Sequence, residues 1–296
     1  MRARQRIEDR IGRIDAELDL GLEPSSIERV GGGSINRTLR CASRAGPVLL
    51  KLNAPDRREM LQTEALGLAA LAAAQALDVP RVVAAGATDE DAYLVLEWID
   101  FGAATPGAEM RLGRGLAQLH RCTSERFGWQ KDNTIGSTPQ ANAWVGDWCS
   151  FWRERRLVPQ LELAARNGLP RECLSLAARL VEGLETLLGD HAPVPSLLHG
   201  DLWGGNWGAA LDGRPYVFDP AVYYGDRETD LAMTRLFGGF GPAFYRAYED
   251  AWALPPDAAN RGELYALYHL LNHFNLFGVS YRASVARSLA ALAGRL

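Results

Sequence analysis

The chain is poor in the features that mark several protein classes. Its 296 residues hold four cysteines, five histidines and a formal net charge of −4. Cys41, Cys122, Cys149 and Cys173 show no CxxC or CxxxH spacing, so neither a zinc module nor a disulfide framework is supported, and four ordinary thiols of a cytoplasmic protein are expected. A positive balance is missing as well: with a pI near 5.8 the chain is no nucleic-acid platform and leaves room for a cationic substrate. No long apolar run is present. The stretch from Ala65 to Leu77 is broken by Gly67 and Gln75 and falls short of the roughly 20 residues a bilayer span needs, so it reads as a buried helix and no membrane partner is expected. The opening Met1-Arg-Ala-Arg-Gln-Arg6 leads into further charges instead of the apolar segment of a secretory signal. Internal repeats and low-complexity blocks are also lacking. Apolar residues are plentiful, at 47%, enough for the core of one large domain or of two lobes.

Ile7, Ile11, Ile14 and Leu18 recur at helical spacing and predict an amphipathic leading helix within residues 1–20. After the glycines at 31–33, residues 48–52 (VLLKL) read as a strand, 56–77 as a helix, and 92–99 (AYLVLEWI) as another strand. Asp56 with Glu59 three positions on is a plausible capping box for that helix. Past a Gly/Pro-rich stretch at 102–107 the periodicity turns helical, first at Leu112, Leu116 and Leu119, later at Leu180, Leu184 and Leu187. Strands first and helices second predict an α+β, bilobal chain: residues 1–99 as a small strand-rich lobe, 100–108 as hinge, and 109–296 as a larger, mainly helical lobe.

The most informative tract is Leu198-His-Gly-Asp-Leu-Trp-Gly-Gly-Asn206, with Asp219 thirteen residues beyond. Tyr216-Val217-Phe218 reads as a short buried strand that returns Asp219 towards the first loop. Phosphoryl transfer needs such a set: a carboxylate, Asp201, to orient the acceptor hydroxyl, and an amide oxygen and a second carboxylate, Asn206 and Asp219, as hard ligands for Mg²⁺. His199 reads as a hydrogen-bonded scaffold residue, and Asp230 as the anchor of the loop's backbone N–H groups.

Lys51 is a cation inside an aliphatic strand, and alone it could be a solvated edge lysine. Glu64 argues otherwise. With Leu61, Leu68 and Leu71 it lies on the apolar stripe of its helix, where an unpaired carboxylate would cost several kcal/mol, about 3–5 by analogy with broken buried pairs. The strand lysine is its natural partner. Gly31-Gly32-Gly33-Ser34-Ile35-Asn36 could be a flexible turn, or a hairpin whose backbone N–H groups approach phosphate oxygens. Asp100-Phe101-Gly102 spells a metal-binding tripeptide but precedes the catalytic tract by about a hundred residues, so it is read as a chance match.

The order of these elements resembles the protein-kinase-like phosphotransferases. That resemblance implies ATP with Mg²⁺, Lys51 and Glu64 holding the α- and β-phosphates, Gly32, Gly33, Ser34 and Asn36 covering them, and backbone groups of Glu97 and Ile99 pairing with adenine. More specifically, the chain resembles the fructosamine (ketosamine) kinases. The resemblance rests on residues 31–36, 94–99, 112–120, 127–129, 132–136 (DNTIG), 139–142 (PQAN), the tract 199–206 and residues 219–233. It implies phosphorylation of the 3-hydroxyl of a free or protein-attached sugar-amine, a role in deglycation, and a pocket shaped by Trp203, Tyr223, Arg227 and Glu228. Some relatives carry cysteine where this chain has Ser34. A kinase of an aminoglycoside or choline-like alcohol remains the alternative enzyme, and a catalytically silent nucleotide-binding relative the alternative of another class. A monomer is expected.

Overall fold

A computed structural model describes residues 2–31 and 35–296. Gly32, Gly33 and Ser34, expected over the phosphates, lie outside the described residues. The amphipathic helix α1 spans Arg2–Leu18 and buries Ile11 and Ile14 completely, as their spacing predicts. Five antiparallel strands follow: β1 (Glu23–Arg29), β2 (Arg37–Ala42), β3 (Val48–Asn53), β4 (Val82–Ala87) and β5 (Ala92–Glu97), in the order β1-β2-β3-β5-β4. Lys51 is therefore on the central strand and not on an edge.

Helix α2 (Arg58–Ala73) crosses between β3 and β4 and buries Met60, Leu61, Leu68 and Leu71. Its start departs from the predicted box at Asp56. Pro55 opens a short 3₁₀ turn, Pro55–Arg57, and the Asp56 side chain makes no cap bond. Asn53 Oδ1 instead accepts the N–H of Ala54 at 2.8 Å. The helix stops four residues early because Gln75 takes a left-handed backbone, φ +52°. Strand β5 likewise ends at Glu97 and not at 99, since Pro47, the next partner in register, accepts Trp98 N–H but has no N–H to return.

From α3 (Pro106–His120) onward the chain is mostly helical. A short hairpin, β6 (Asn133–Ile135) and β7 (Thr138–Gln140), precedes α4 (Trp148–Trp152), a π-helical turn at Arg153–Leu157, and α5 (Val158–Arg166). Then come α6 (Arg171–Glu182) and α7 (Leu184–Leu188). Four short strands bracket the functional loops: β8 (Ser196–Leu198), β9 (Trp207–Ala209), β10 (Pro215–Val217) and β11 (Tyr223–Gly225). β8 pairs with β11 and β9 with β10, so the loop after β8 and the loop after β10 are laid side by side. Helices α8 (Glu228–Phe237), α9 (Pro242–Ala251), α10 (Ala258–Phe277) and α11 (Arg282–Ala293) complete the chain. Among the described residues no helix is long and apolar enough to cross a membrane.

Candidate active site

Four hydrogen bonds fix the start of the loop from His199 to Asn206. Both oxygens of Asp230, at the start of α8, accept backbone N–H groups, from His199 at 2.8 Å and from Gly200 at 2.8 Å. Two charge-assisted bonds to one buried carboxylate make a rigid anchor. His120, within hydrogen-bond distance on the same carboxylate, helps hold it ionised below its ordinary range in spite of burial. His199 is fully buried, and burial pulls its pKa down, so the ring is neutral. Nε2–H donates to Phe218 O at 3.0 Å, which leaves Nδ1 to accept Asp201 N–H at 3.3 Å. His199 is thus a strut between the two loops. Gly200 has φ +83°, and a Cβ there would lie 2.0 Å from Ala221 O, so only glycine fits.

The second loop is tied to the first by Phe218 N–H to Asn206 O and by Ala221 N–H to His199 O, at 3.0 and 2.9 Å. Between them Asp219 adopts φ +57°, a conformation that is uncommon for a residue with a side chain and marks local strain. That turn aims the carboxylate into a cleft of about 150 Å³ lined by Lys51, Glu64, Asp201, Asn206 and Asp219 together. Lys51 Nζ lies 2.5 Å from Glu64 Oε1 and is also ion-paired with Asp219. Burial alone would lower the Lys51 ammonium; Asp219 and then Glu64 more than offset it, and the group is held above its ordinary value. Glu64 is pushed up by burial against the opposing pull of Lys51.

Asp201 lies at the same cleft. Burial, then the charges of Asp219 and Asp230, push its carboxyl up to about 7 against a hydrogen bond from Asn206. Asn206 Nδ2 donates to the backbone carbonyl of Asp201 at 2.8 Å, so its Oδ1 is the atom left for a ligand. An amide oxygen and a half-exposed carboxylate are a donor set that suits a small hard cation. The residues present therefore fit Mg²⁺.

Not every expected residue reaches the cleft. Asn36 does, with Oδ1 held at 2.7 Å by Asn53 Nδ2. Glu97 does not line it, and its carboxylate caps the N–H of Arg81 at 2.9 Å; Ile99 does not line it either. Asp100 sits beside them, accepting Trp98 Nε1–H at 2.8 Å, and is not among the residues that line the cleft. Trp203 lines the cleft, 37% exposed. Tyr223, Arg227 and Glu228 do not. Tyr223 is packed under the Arg156 guanidinium, 3.9 Å from its ring centre. Arg227 turns inward to the carbonyls of Trp252 and Ala253, and Glu228 is taken by a two-pronged ion pair with Arg261. All three are buried and engaged by partners distant in the chain, which apolar periodicity does not reveal. Conversely, Asn133, Thr134, Gly136, Asn272 and His273 line the cleft, yet no role was expected of them individually. The motif at 132–136 was a signal; Asn272 and His273, adjacent polar residues straight after Leu270-Leu271 in α10, were another.

A family model described as fructosamine kinase matches residues 8–294. A Synechocystis protein named "Probable ketoamine kinase" is 45% identical over 263 residues, 88% of each chain. The chloroplastic protein-ribulosamine 3-kinase of Arabidopsis thaliana is 40% identical over 88% of this chain and 80% of its own. Among solved structures, a "Putative fructosamine-3-kinase" from Haemophilus somnus 129PT superposes with a TM-score of 0.87 at 28% identity, covering 95% and 96% of the two chains. The aminoglycoside phosphotransferase APH(4)-Ia, solved with ADP and hygromycin B, superposes at 0.70 over 96% and 97%; at 14% identity it shares the kinase-like fold alone. With the match running almost end to end, the chain belongs to the fructosamine kinase family.

Proposed function

We propose that the protein is an ATP-dependent ketosamine kinase that phosphorylates a hydroxyl, the 3-hydroxyl by family resemblance, of a fructosamine- or ribulosamine-type substrate. The observation that carries this is the convergence of Lys51, Glu64, Asp201, Asn206 and Asp219 on one cleft. Residues 1–99 act as the nucleotide lobe, 100–108 as the hinge and 109–296 as the catalytic and substrate lobe. Asp201 orients the acceptor: as the sugar oxygen bonds to the γ-phosphorus and the bond to the departing ADP oxygen breaks, the hydroxyl proton passes to its carboxylate. A carboxyl poised near 7 is a competent acceptor at neutral pH. Lys51, held by Glu64, binds the α- and β-phosphates. Asn206 Oδ1 and the Asp219 carboxylate would hold Mg²⁺, whose positive charge would offset that of the phosphates. Trp203, at the cleft mouth, offers an aromatic face to the sugar-amine. The carrier is a free amine or a protein lysine, the enzyme acts in the cytoplasm as a monomer, and the reaction serves deglycation.

An ADP-release assay over fructosamines, ribulosamines, aminoglycosides and choline tests this. Turnover confined to the first two classes is expected. Turnover of an aminoglycoside alone would move the assignment to antibiotic modification, and nucleotide binding with no turnover on any member would make the chain a silent relative.

A further inference from the structure

Arg156 is fully buried, yet among the described residues its hydrogen-bond partners are all uncharged. It projects from the π-helical turn at Arg153–Leu157, an insertion that re-aims side chains and recurs at functional sites. The guanidinium lies over the rings of Tyr223 and Phe151, 3.9 and 4.6 Å from their centres. It donates to the carbonyls of Ala141 and Arg155 and, through Nη2 at 2.7 Å, to Asn142 Oδ1. Burying a charge without a counter-ion is costly, so a purely architectural position would accept an apolar residue more cheaply.

The consequence lies in what Asn142 does next. Guanidinium has donors only, so its bond dictates which end of the Asn142 amide faces it. Asn142 Nδ2 must then point the other way, and it donates to Asn133 Oδ1 at 2.9 Å and to Lys131 O at 3.1 Å. Asn133 Oδ1 also accepts Gln140 Nε2–H at 2.8 Å, while the opposite end of Gln140 is set by Tyr268 O–H at 2.7 Å. With its oxygen so occupied, Asn133 must present Nδ2 to Val222 O, at 2.9 Å, and Gln140 Nε2 reaches Ala221 O at 3.2 Å. The relay ends on the two carbonyls that follow Asp219-Pro220 in the chain. Ala221, whose N–H is tied to His199 O, lies two residues beyond the left-handed Asp219. The motifs at 132–136 and 139–142, which no expected role had absorbed, supply every amide in the path.

We infer that Arg156 is a positioning residue for the metal loop: its donor-only head sets the polarity of the Asn142–Asn133–Gln140 amide relay that clamps the carbonyls of Ala221 and Val222 and so aims Asp219. This rests on the reading of Asp219 as a metal ligand. Without the guanidinium the Asn142 oxygen loses its charged donor and only the Lys131 carbonyl orients that end of the relay, which would loosen the clamp on the loop.

Asn142→Asp separates this role from a merely structural one. The new carboxylate would ion-pair with Arg156, which supports the fold, but it has no N–H to pass on and reverses the relay. The readout is the thermal shift produced by ADP with Mg²⁺ against ADP with EDTA, beside kcat and KM. Expected in Asn142→Asp are an unliganded melting temperature no more than about 2 °C below wild type, and a fall of about tenfold or more in Mg²⁺ affinity and kcat, the range that outer-sphere partners of metal ligands command. Arg156→Lys should keep more Mg²⁺ response than Arg156→Met, because it keeps a donor-only head. If Asn142→Asp folds and matches wild type in Mg²⁺ shift and kcat, the inference is overturned. Should that variant not fold, Arg156→Lys and Arg156→Met decide instead, and equal Mg²⁺ response in both overturns it. Absence of any Mg²⁺-dependent shift in the wild type would overturn the metal-ligand reading itself, which is a different result.

Discussion

Lys51 and Asp219, 168 positions apart in the chain, are ion-paired across the cleft, and Glu64 holds the same ammonium from α2. One cation therefore ties the central strand of the sheet to the strained turn of the second loop. Lys51→Met should leave two carboxylates without their counter-ion and remove the group proposed to bind phosphates. Expected is a loss of nucleotide affinity of roughly tenfold to a hundredfold, the cost of deleting about one to two charge-assisted hydrogen bonds in a buried site. Glu64→Gln, which still offers an oxygen, should lose less. Isothermal titration with MgADP ranks the three proteins, and wild-type affinity in Lys51→Met would remove Lys51 from the nucleotide site.

The two aspartate-containing tripeptides make opposite predictions. Asp219→Ala should abolish the Mg²⁺-dependent part of the ATP-induced thermal shift, whereas Asp100→Ala, whose side chain only accepts Trp98 Nε1–H, should retain it. A metal response lost in the Asp100 variant alone would reverse the proposed assignment of the two ends of the cleft.

Thiol chemistry should be silent. The expectation about Ser34 falls outside the described residues, but Cys41, the cysteine nearest that hairpin, is fully buried in the core of the sheet. Burial pushes its thiol up, against hydrogen bonds with Ser26 and Glu23, and Cys149 and Cys173 are raised by burial too. A protonated, enclosed thiol is a poor nucleophile. Kinase activity should change by less than about twofold between oxidising and reducing buffer. Non-reducing electrophoresis after mild peroxide treatment checks the linkage, and a dimer band lost in Cys41→Ser would show the core of the sheet to be accessible after all.

How much of this was legible in the sequence depended on whether chemistry or packing placed a residue. Asp201, Asn206 and Asp219 are linked by short segments with strong local geometry, so their spacing already implied a common site. Lys51 and Glu64 could be paired because a carboxylate on an apolar stripe needs a cation. Helix ends were less legible: Pro55 and the left-handed Gln75 trimmed α2 at both sides, and Asp56 capped nothing. Tyr223, Arg227 and Glu228 are each taken up by a partner distant in the chain, respectively Arg156, the carbonyls of Trp252 and Ala253, and Arg261. Such long-range pairings of buried polar groups leave no periodicity to read. The amide relay from Arg156 belongs to the same class, and its residues drew notice only as unexplained motifs.

The elevated carboxyl of Asp201 ties catalysis to stability with opposite signs. Its pKa rises from 3.8 to about 7 on folding, so between those values the folded chain holds a proton that the unfolded chain releases. Stability therefore falls as pH rises through this window, and the full penalty is present above 7. Because the side chain still faces the cleft, solvent screening reduces the penalty to about 1–2 kcal/mol instead of the full value of the shift. Asp201→Asn removes the charge and should melt about 2–5 °C above wild type at pH 8, the gap narrowing as pH falls below 7 and closing below 3.8, where both states of the wild type are protonated. The same variant should lose at least about a hundredfold in kcat while MgATP still binds. In the wild type kcat should fall on acidification, with an apparent pKa below that of the free enzyme, because a cation bound at Asp219 cancels part of the repulsion that lifts Asp201. Differential scanning fluorimetry across pH, read beside the pH–rate profile, tests both halves. A variant less stable than wild type at pH 8, or one that turns over near the wild-type rate, would show that Asp201 is not a strained catalytic carboxylate.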